Sequence, residues 1–558
     1  MFLNSTANYP SYYLERQLSI FSVGYSAKST LDYSRTNVQV EGIDEADIVK
    51  CDGSYIYIVR DNHILIVRGY PPETAHFLAN ITVNGTIVGI FINNDRLVVL
   101  ESNYEKFSSR ASEKIGFLDV PFTHILIYDV ADRERPSLVK KISCDGSYFA
   151  SRMIGDYMYL ITSRGAYRIG EDVPLPTVIK DGELEEIDAR DIYYVDVADY
   201  SYQFVTVLSV NIKNESISPS HQTLLVGYSS GIYVSLNNIY LATSHYIPKS
   251  YAMVTEVYRI KIDGELILPE ANGNVLGRIL NQFSMDEYGG FFRIATTTGD
   301  VWNGISGNNV YVLDMNLTII GRLENLAIGE TIYSARFMGD KCYLVTFKKV
   351  DPLFVISLED PANPRILGQL KIPGYSNYLH PYGQTLLIGI GKETEDAEQG
   401  DFAWYQGVKI SLFDISDVEN PLEIAKYEIG HRGTESPVLH DHKALLFDAD
   451  RQLLVIPILL AEVDEKKFPS GVPPYVYGDY TWQGVYVFTT TENNVVVRGR
   501  ITHLENNQGY LDGDRLLASR FSVERAIYIE NFLYTISKGM IKINSLDNLE
   551  DVNRIYLP

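Results

Sequence analysis

Cysteine, tryptophan and methionine are scarce here: three, three and eight in 558 residues. Cys51, Cys144 and Cys342 lie far apart and match no zinc-ligand spacing, which excludes a metal-stapled or disulfide-dense fold. Cys51 and Cys144 each open a Cys-Asp-Gly-Ser-Tyr segment. A bridge between them needs Cα atoms about 4.4–6.8 Å apart, which spacing alone does not fix. No apolar run approaches the ~18 residues of a membrane-spanning helix, and no long stretch keeps a 3.6-residue period. Positive charge is also short, with 48 Lys and Arg against 71 Asp and Glu, a net charge of −23. That argues against nucleic acid, which needs a cationic footprint, and against docking on anionic lipid. Glycine-rich phosphate loops, Cys-x-x-Cys and His-Glu-x-x-His are all missing.

What is present is β-structure. Hydrophobic residues make up 46% of the chain, and tyrosine reaches 41. Tyrosine suits strands, because its ring packs on the pleat while its hydroxyl stays at a wet edge. Residues 1–40 read as a polar lead-in with a short helix near 12–18, and residues 41–558 as one β domain. In that domain, short β-branched and aromatic runs alternate with Gly, Asn and Asp turns every ~8–12 residues. The segments 181–199 and 392–406 read as inserted loops.

Two sub-patterns recur. Ser147-Tyr-Phe-Ala-Ser-Arg152-Met-Ile-Gly155-Asp156-Tyr-Met-Tyr-Leu-Ile-Thr162 returns as Thr331-Ile-Tyr-Ser-Ala-Arg336-Phe-Met-Gly339-Asp340-Lys-Cys-Tyr-Leu-Val-Thr346. Gly-Asp between apolar strands predicts a tight hairpin. The second pattern places an Asp four residues before a Pro, at Asp132, Asp360 and Asp417, and predicts a capped turn between strands. Hairpin, strand, turn and strand make four antiparallel strands in a unit of ~60 residues, which must stack radially to bury both faces. The expected fold is all-β, a single closed propeller of eight or nine four-stranded blades, with the fifth unit, near 291–323, irregular.

At Thr36-Asn-Val-Gln-Val-Glu-Gly-Ile-Asp44-Glu45-Ala-Asp47-Ile-Val-Lys50 the chain resembles the secreted archaeal and bacterial β-propeller family distantly related to WD40 repeats. Ser334-Ala-Arg336-Phe-Met-Gly-Asp340, Val350-Asp351-Pro352-Leu353-Phe354-Val355 and Asp441-His442-Lys443-Ala444 are similar to further signatures of that family. The resemblance covers about residues 35–558. It implies a propeller and an exported or surface-attached protein, with no established reaction and so no catalytic residues. Sequons at Asn4, Asn80, Asn84, Asn214 and Asn316 favour export. The polar start, Met1 to Thr6, is too short for a signal peptide, so a cytoplasmic location stays open beside a secreted or cell-surface one.

The candidate site residues face the predicted axis. Asp44, Glu45 and Asp47 open the first unit, and Arg152, Arg293, Arg336 and Arg525 fall on predicted inner strands. Charges in a narrow channel must pair or bind ions. The first reading is a structural salt-bridge network; the alternative is a ligand or Ca²⁺ site at the channel mouth, though no EF-hand spacing is present. His440 and His442 would share a strand face as a two-ligand metal edge, with His380 or His431 as a third. Gly227-Tyr-Ser229-Ser-Gly231 matches a nucleophile elbow, but another strand follows where that motif needs a helix. The Trp repeats of quinone-cofactor propellers are absent too. The leading expectation is a non-enzymatic binding or scaffold module for a protein or surface glycan. The alternative is a metal-dependent enzyme or metal-binding protein at the channel mouth, and assembly into a surface layer is a third, weaker idea.

Overall fold

The computed structural model describes residues 31–107, 118–168, 173–180, 182–195, 201–247, 252–301, 303–348, 351–397, 402–504, 511–512, 515–516 and 519–558. The short helix expected near 12–18 lies outside them. Among the described residues, nine four-stranded antiparallel units follow one another along the chain. They cover 49–82, 86–145, 147–226, 229–276, 285–326, 331–372, 375–429, 446–501 and 523–556 and are blades 1 to 9 below. The fifth is as regular as the rest, with Met285–Tyr288, Phe291–Thr298, Gly307–Leu313 and Ile319–Leu326 in order. Ser229 lies on the first strand of blade 4 and is followed by another strand, Asn238–Tyr246, so no nucleophile elbow forms.

The core lies between blades rather than within them. Side chains alternate across a strand, so each blade sends one set of apolar residues to each neighbour. Ile56 and Ile58 of blade 1 pack with Ile529, Tyr534 and Ile541 of blade 9, whereas Tyr57 and Val59 pack with Ile90 and Leu97 of blade 2. Clusters of this kind join every consecutive pair of blades, and the last joins blade 9 to blade 1, so the ring is complete. Burial on both sides explains why the second strands read as continuous apolar runs instead of alternating ones. It also explains much of the tyrosine. The rings of Tyr57, Tyr240, Tyr311 and Tyr534 are fully buried, and two of their hydroxyls reach the next blade, Tyr240 to Glu287 at 2.8 Å and Tyr534 to the Gly69 carbonyl at 2.8 Å.

One face of the ring is built from tight turns. Gly155 and Gly339 occupy equivalent hairpins between first and second strands, at φ of 57° and 54°, where a side chain would be strained. The Asp-Pro turns link third and fourth strands. Asp132, Asp360 and Asp417 each accept a backbone N–H, from Glu134, Ala362 and Glu419, at 3.1 Å in every case. These turns also seat the neighbouring blade. Gly368, on the last strand of blade 6, lies under the Val418 and Glu419 carbonyls of the blade 7 turn.

The two segments read as loops contain strands. Residues 183–186 pair with Thr177–Lys180 on the outer edge of blade 2, and Ile192–Tyr194 runs parallel to the last strand of blade 3. Most of 392–406 extends the hairpin between Leu386–Asp396 and Ala403–Asp414 of blade 7. These strands extend past the apolar core, so their sequences carry charge where a buried strand would alternate or run apolar. The three cysteines are free.

Gly368→Ala is expected to destabilise the ring by about 1–3 kcal/mol, because the added methyl meets backbone oxygen that cannot yield. Asp360→Ala removes only a turn cap and should lower the melting temperature less. Thermal unfolding of the two variants beside wild type checks the order.

Candidate functional site

The axis of the ring is occupied by the chain's own residues 32–50. Asp32 and Ser34 lie against the first strand and hairpin of blade 9, with Ser34 N donating to the Tyr528 carbonyl at 3.0 Å and Glu530 N to the Asp32 carbonyl at 2.7 Å. The Asn37 amide then donates to the His442 carbonyl at 2.8 Å and the Tyr378 hydroxyl at 3.2 Å. Gln39 reaches the Gln282 and Met285 carbonyls at 3.0 and 3.2 Å. Ile43 and Ala46 enter the clusters between blades 3 and 4 and between 2 and 3. Asp44–Glu45 pairs antiparallel with the first strand of blade 3, and Asp47 with Ile90 of blade 2. A single short segment thus bonds to or packs on the inner elements of blades spread around the whole ring.

Asp44, Glu45 and Asp47 on this segment each meet a cation. Lys50 holds Asp44 at 2.6 Å, and its ammonium also donates to Thr36 Oγ1 and the Glu45 carbonyl. Glu45 lies 3.7 Å from Arg152 and 3.3 Å from His442 Nε2. Asp47 binds Arg525 at 2.8 Å, and Arg525 continues to Asp441. Glu45, Asp47, Lys50, Arg152 and Arg525 are all buried. Burial alone would raise the Glu45 pKa, but Arg152 and His442 together with the Gln39 N–H outweigh it and hold the carboxyl well below its usual range. Arg336 donates to the Gln39 carbonyl at 3.5 Å and lies over the Phe283 ring at 5.5 Å.

Other residues fall elsewhere than the sequence suggests. Arg293 is on the second strand of blade 5, not the inner one, where it pairs with Asp286, bonds the Gly339 carbonyl and rivets blade 5 to blade 6. His440 and His442 do not share a strand face. Ser436 and Asp441 cap two successive 3₁₀ turns, Pro437–Leu439 and His442–Ala444, and the turn between them sends the rings apart. His442 faces Glu45 and the edge of Phe283, whereas His440 is exposed on the opposite side. His380 contacts the Tyr378 hydroxyl at 3.0 Å, and His431 accepts from Val463 N at 3.3 Å. Among the described residues no three His, Cys, Asp or Glu side chains are grouped to hold a metal. Sequence reasoning missed Lys50, Gln282 and the axial role of Asp441. Lys50 was within reach, because it closes the same motif as Asp44.

The second face of the ring carries the long connections, those after Arg96–Phe107, Tyr157–Gly165, Asn238–Tyr246, Leu386–Asp396 and Leu453–Glu462. On this face a cleft of about 180 Å³ opens between blades 7 and 8. Its walls include Tyr375, Lys392, Tyr405, Gln406, Arg432, Glu435, His440 and Tyr477. The Arg432 guanidinium lies between the Trp404 ring at 4.9 Å and the Tyr477 ring at 4.3 Å, and bonds the Tyr405 carbonyl and the Tyr477 hydroxyl at 3.0 Å each. Tyr405 packs edge-on to Tyr375 and shares a 3.1 Å hydroxyl contact with Tyr333. No single motif marks this cleft, and His440 drew notice only as half of a histidine pair, because the walls come from three strands of blade 7 and from the connections 430–445 and 463–478, which only the ring brings together.

Burial, Arg336 and His442 together lower the His380 pKa to about 3. The folded ring then stays neutral while the unfolded chain takes up a proton below about pH 6.5. Stability is expected to fall as pH drops from 6.5 toward 3, with Glu45 adding to the loss below the ordinary carboxylate range. His380→Gln should flatten the slope between pH 6 and 4 by about 1.4 kcal/mol per pH unit in denaturant titrations.

The sequence matches the family described as Beta propeller domain over residues 33–549. It is 30% identical to an uncharacterized protein of Methanocaldococcus jannaschii, covering 94% of this chain and 84% of the relative. It is 27% identical to an uncharacterized protein of Archaeoglobus fulgidus, covering 94% and 85%. Among solved structures, a functionally unknown protein from Desulfotomaculum acetoxidans matches with a TM-score of 0.30 and 12% identity over 66% of this chain and 94% of that one. The β-propeller domain of the trilobed protease from Pyrococcus furiosus matches with a TM-score of 0.28 and 11% identity over 58% and 95%. With nine blades in a ring and the family matched along most of its length, the chain belongs to the β-propeller domain family.

Proposed function

We propose that this protein is a non-enzymatic binding module of the cell exterior, holding a protein or glycan partner on its loop-bearing face. The observation that carries this reading is the contrast between the two faces. One is closed by short capped turns, and the other gathers the long connections and the aromatic cleft between blades 7 and 8. Binding residues concentrate on loops held by a rigid scaffold. The axis supports the same reading, because its carboxylates and cations neutralise one another in fixed pairs. A reacting group needs access to substrate and a tuned proton affinity; here the charges are spent on holding the chain to its blades. The exterior location draws support from the sequons, since Asn80, Asn84, Asn214 and Asn316 are all exposed. Among the described residues no helix is long and apolar enough to cross a membrane.

Sedimentation of the purified protein with cell-envelope fragments from its own organism tests the reading. Binding is expected, with loss in the double variant Tyr405→Ala/Tyr477→Ala and retention in Asp360→Ala on the other face. Equal binding by all three proteins, or none by wild type, overturns it. Mass spectrometry of the native protein should find glycan on Asn84, Asn214 or Asn316. Recovery of unmodified protein in the cytosolic fraction alone overturns the exterior location.

A further inference from the structure

The cleft between blades 7 and 8 has a chemistry narrower than "partner". At about 180 Å³ it is smaller than the ~300–1,000 Å³ of clefts that enclose whole drug-sized ligands, so it holds one ring or one residue of something larger. Its cations are already engaged. Lys392 is buried and donates to Glu435 at 2.9 Å and to the Thr434 carbonyl, and Arg432 is held by Tyr405 and Tyr477. They build the walls: Glu435 neutralises Lys392, and the Arg432 guanidinium, bonded to neutral oxygens, is set against the Trp404 and Tyr477 rings. The groups left toward solvent are mainly acceptors and rings. The Gln406 amide nitrogen is bonded to the Pro474 carbonyl at 2.9 Å, which leaves its oxygen as an acceptor on the cleft wall. Glu435 is exposed and has one oxygen on Lys392, leaving the other to accept. His440 is exposed as well. The Tyr405 and Tyr477 rings are 41% and 66% exposed, yet Arg432 and neighbouring rings fix their positions.

We infer that this cleft binds one uncharged pyranose ring of a glycan. A sugar's axial C–H face stacks on an aromatic ring, and its hydroxyls donate in pairs to carboxylate and amide oxygens. The exposed Glu435 carboxylate opposes a carboxylate or phosphate ligand at its side of the cleft. A peptide would need an apolar pocket for its anchoring side chain, and Leu439 is the one aliphatic residue in the lining. The tyrosine platform is rigid before binding, so little ordering cost falls on the complex. The inference rests on the reading of this face as the binding face, and narrows it to one ligand class.

The test is titration of the full chain with the methyl glycosides of glucose, mannose, galactose and N-acetylglucosamine, read by tryptophan fluorescence. Trp404 lies directly behind Arg432 at 4.9 Å, so it reports on the cleft. At least one neutral glycoside should give a saturable change, and it should displace the protein from envelope fragments. Tyr477→Ala and Glu435→Gln are each expected to weaken it about tenfold, while Tyr556→Ala, an exposed tyrosine away from the cleft, changes nothing. Stronger binding of methyl glucuronide than of every neutral glycoside overturns the uncharged ligand. Envelope binding that no sugar displaces, but that protease treatment of the envelope removes, overturns the glycan and leaves the binding face with a protein partner. Absence of both sugar and envelope binding overturns both readings.

Discussion

A blade with apolar residues on both sides of its sheet cannot be buried by one neighbour. Ile56 and Tyr57 stand next to each other in sequence and belong to different inter-blade clusters; each blade is therefore half of two cores. An open arc would leave two such half-cores in water, so closure is a condition of stability for every unit. Propellers can meet this condition by completing one blade with strands from both chain ends. Here blade 9 takes all four strands from 523–556 and blade 1 all four from 49–82. The joint is made by side chains, namely the apolar cluster between the two blades, the Tyr534 hydroxyl on Gly69 and the Asn553 amide on Pro72.

The axial segment supplies what the missing shared strand would. Residues 32–50 are pinned to blade 9 by backbone bonds, to blade 3 by a two-residue ladder and to blade 2 by a bridge. The buried charges give this thread a unique register. Glu45 and Asp47 have Arg152 of blade 3 and Arg525 of blade 9 as separate partners. A shift by one residue would strand a charge in a dry channel, at a cost of several kcal/mol. Paired buried charges add little net stability, but they discriminate strongly against wrong arrangements.

How legible this was depended on the range of the signal. The hairpins at Gly155 and Gly339 and the turns at Asp132, Asp360 and Asp417 are local devices, and their residue types disclose them. Their spacing narrows the blade count to eight or nine, and the ring has nine. Blade 5 looked irregular because neither a Gly-Asp hairpin between its first two strands nor an Asp-Pro turn between its last two marks it, yet its four strands pair in order. The carboxylates at 44, 45 and 47 were visible as a cluster, but which arginine each would meet is decided by the ring. Arg293 resembles Arg152 and Arg336 in its apolar flanks, yet it is one strand further out. The His440 and His442 pair misled because alternation means a shared face only on a strand, and Ser436 and Asp441 cap turns there instead. The cleft itself was not legible, since its walls come from separate strands and connections, and the one wall residue singled out, His440, was read as half of a metal-binding pair.

The thread also sets the order in which the molecule can be assembled. Asp47 and Arg525 are 478 residues apart, and the thread's own partners include the last blade to be synthesised. Blades 2 to 8 can stack on one another as they emerge, each nucleating on its predecessor. The segment on their axis can pair with blades 2 and 3 as they form, but its contacts with blade 9 wait until that blade exists. Folding therefore ends with a step of very high contact order, which is slow and leaves the exposed sides of blades 1 and 9 waiting in water. A chain truncated in its final blade would lose one ninth of the ring and, with it, the backbone bonds and the Arg525 partner that tie the axial segment to blade 9.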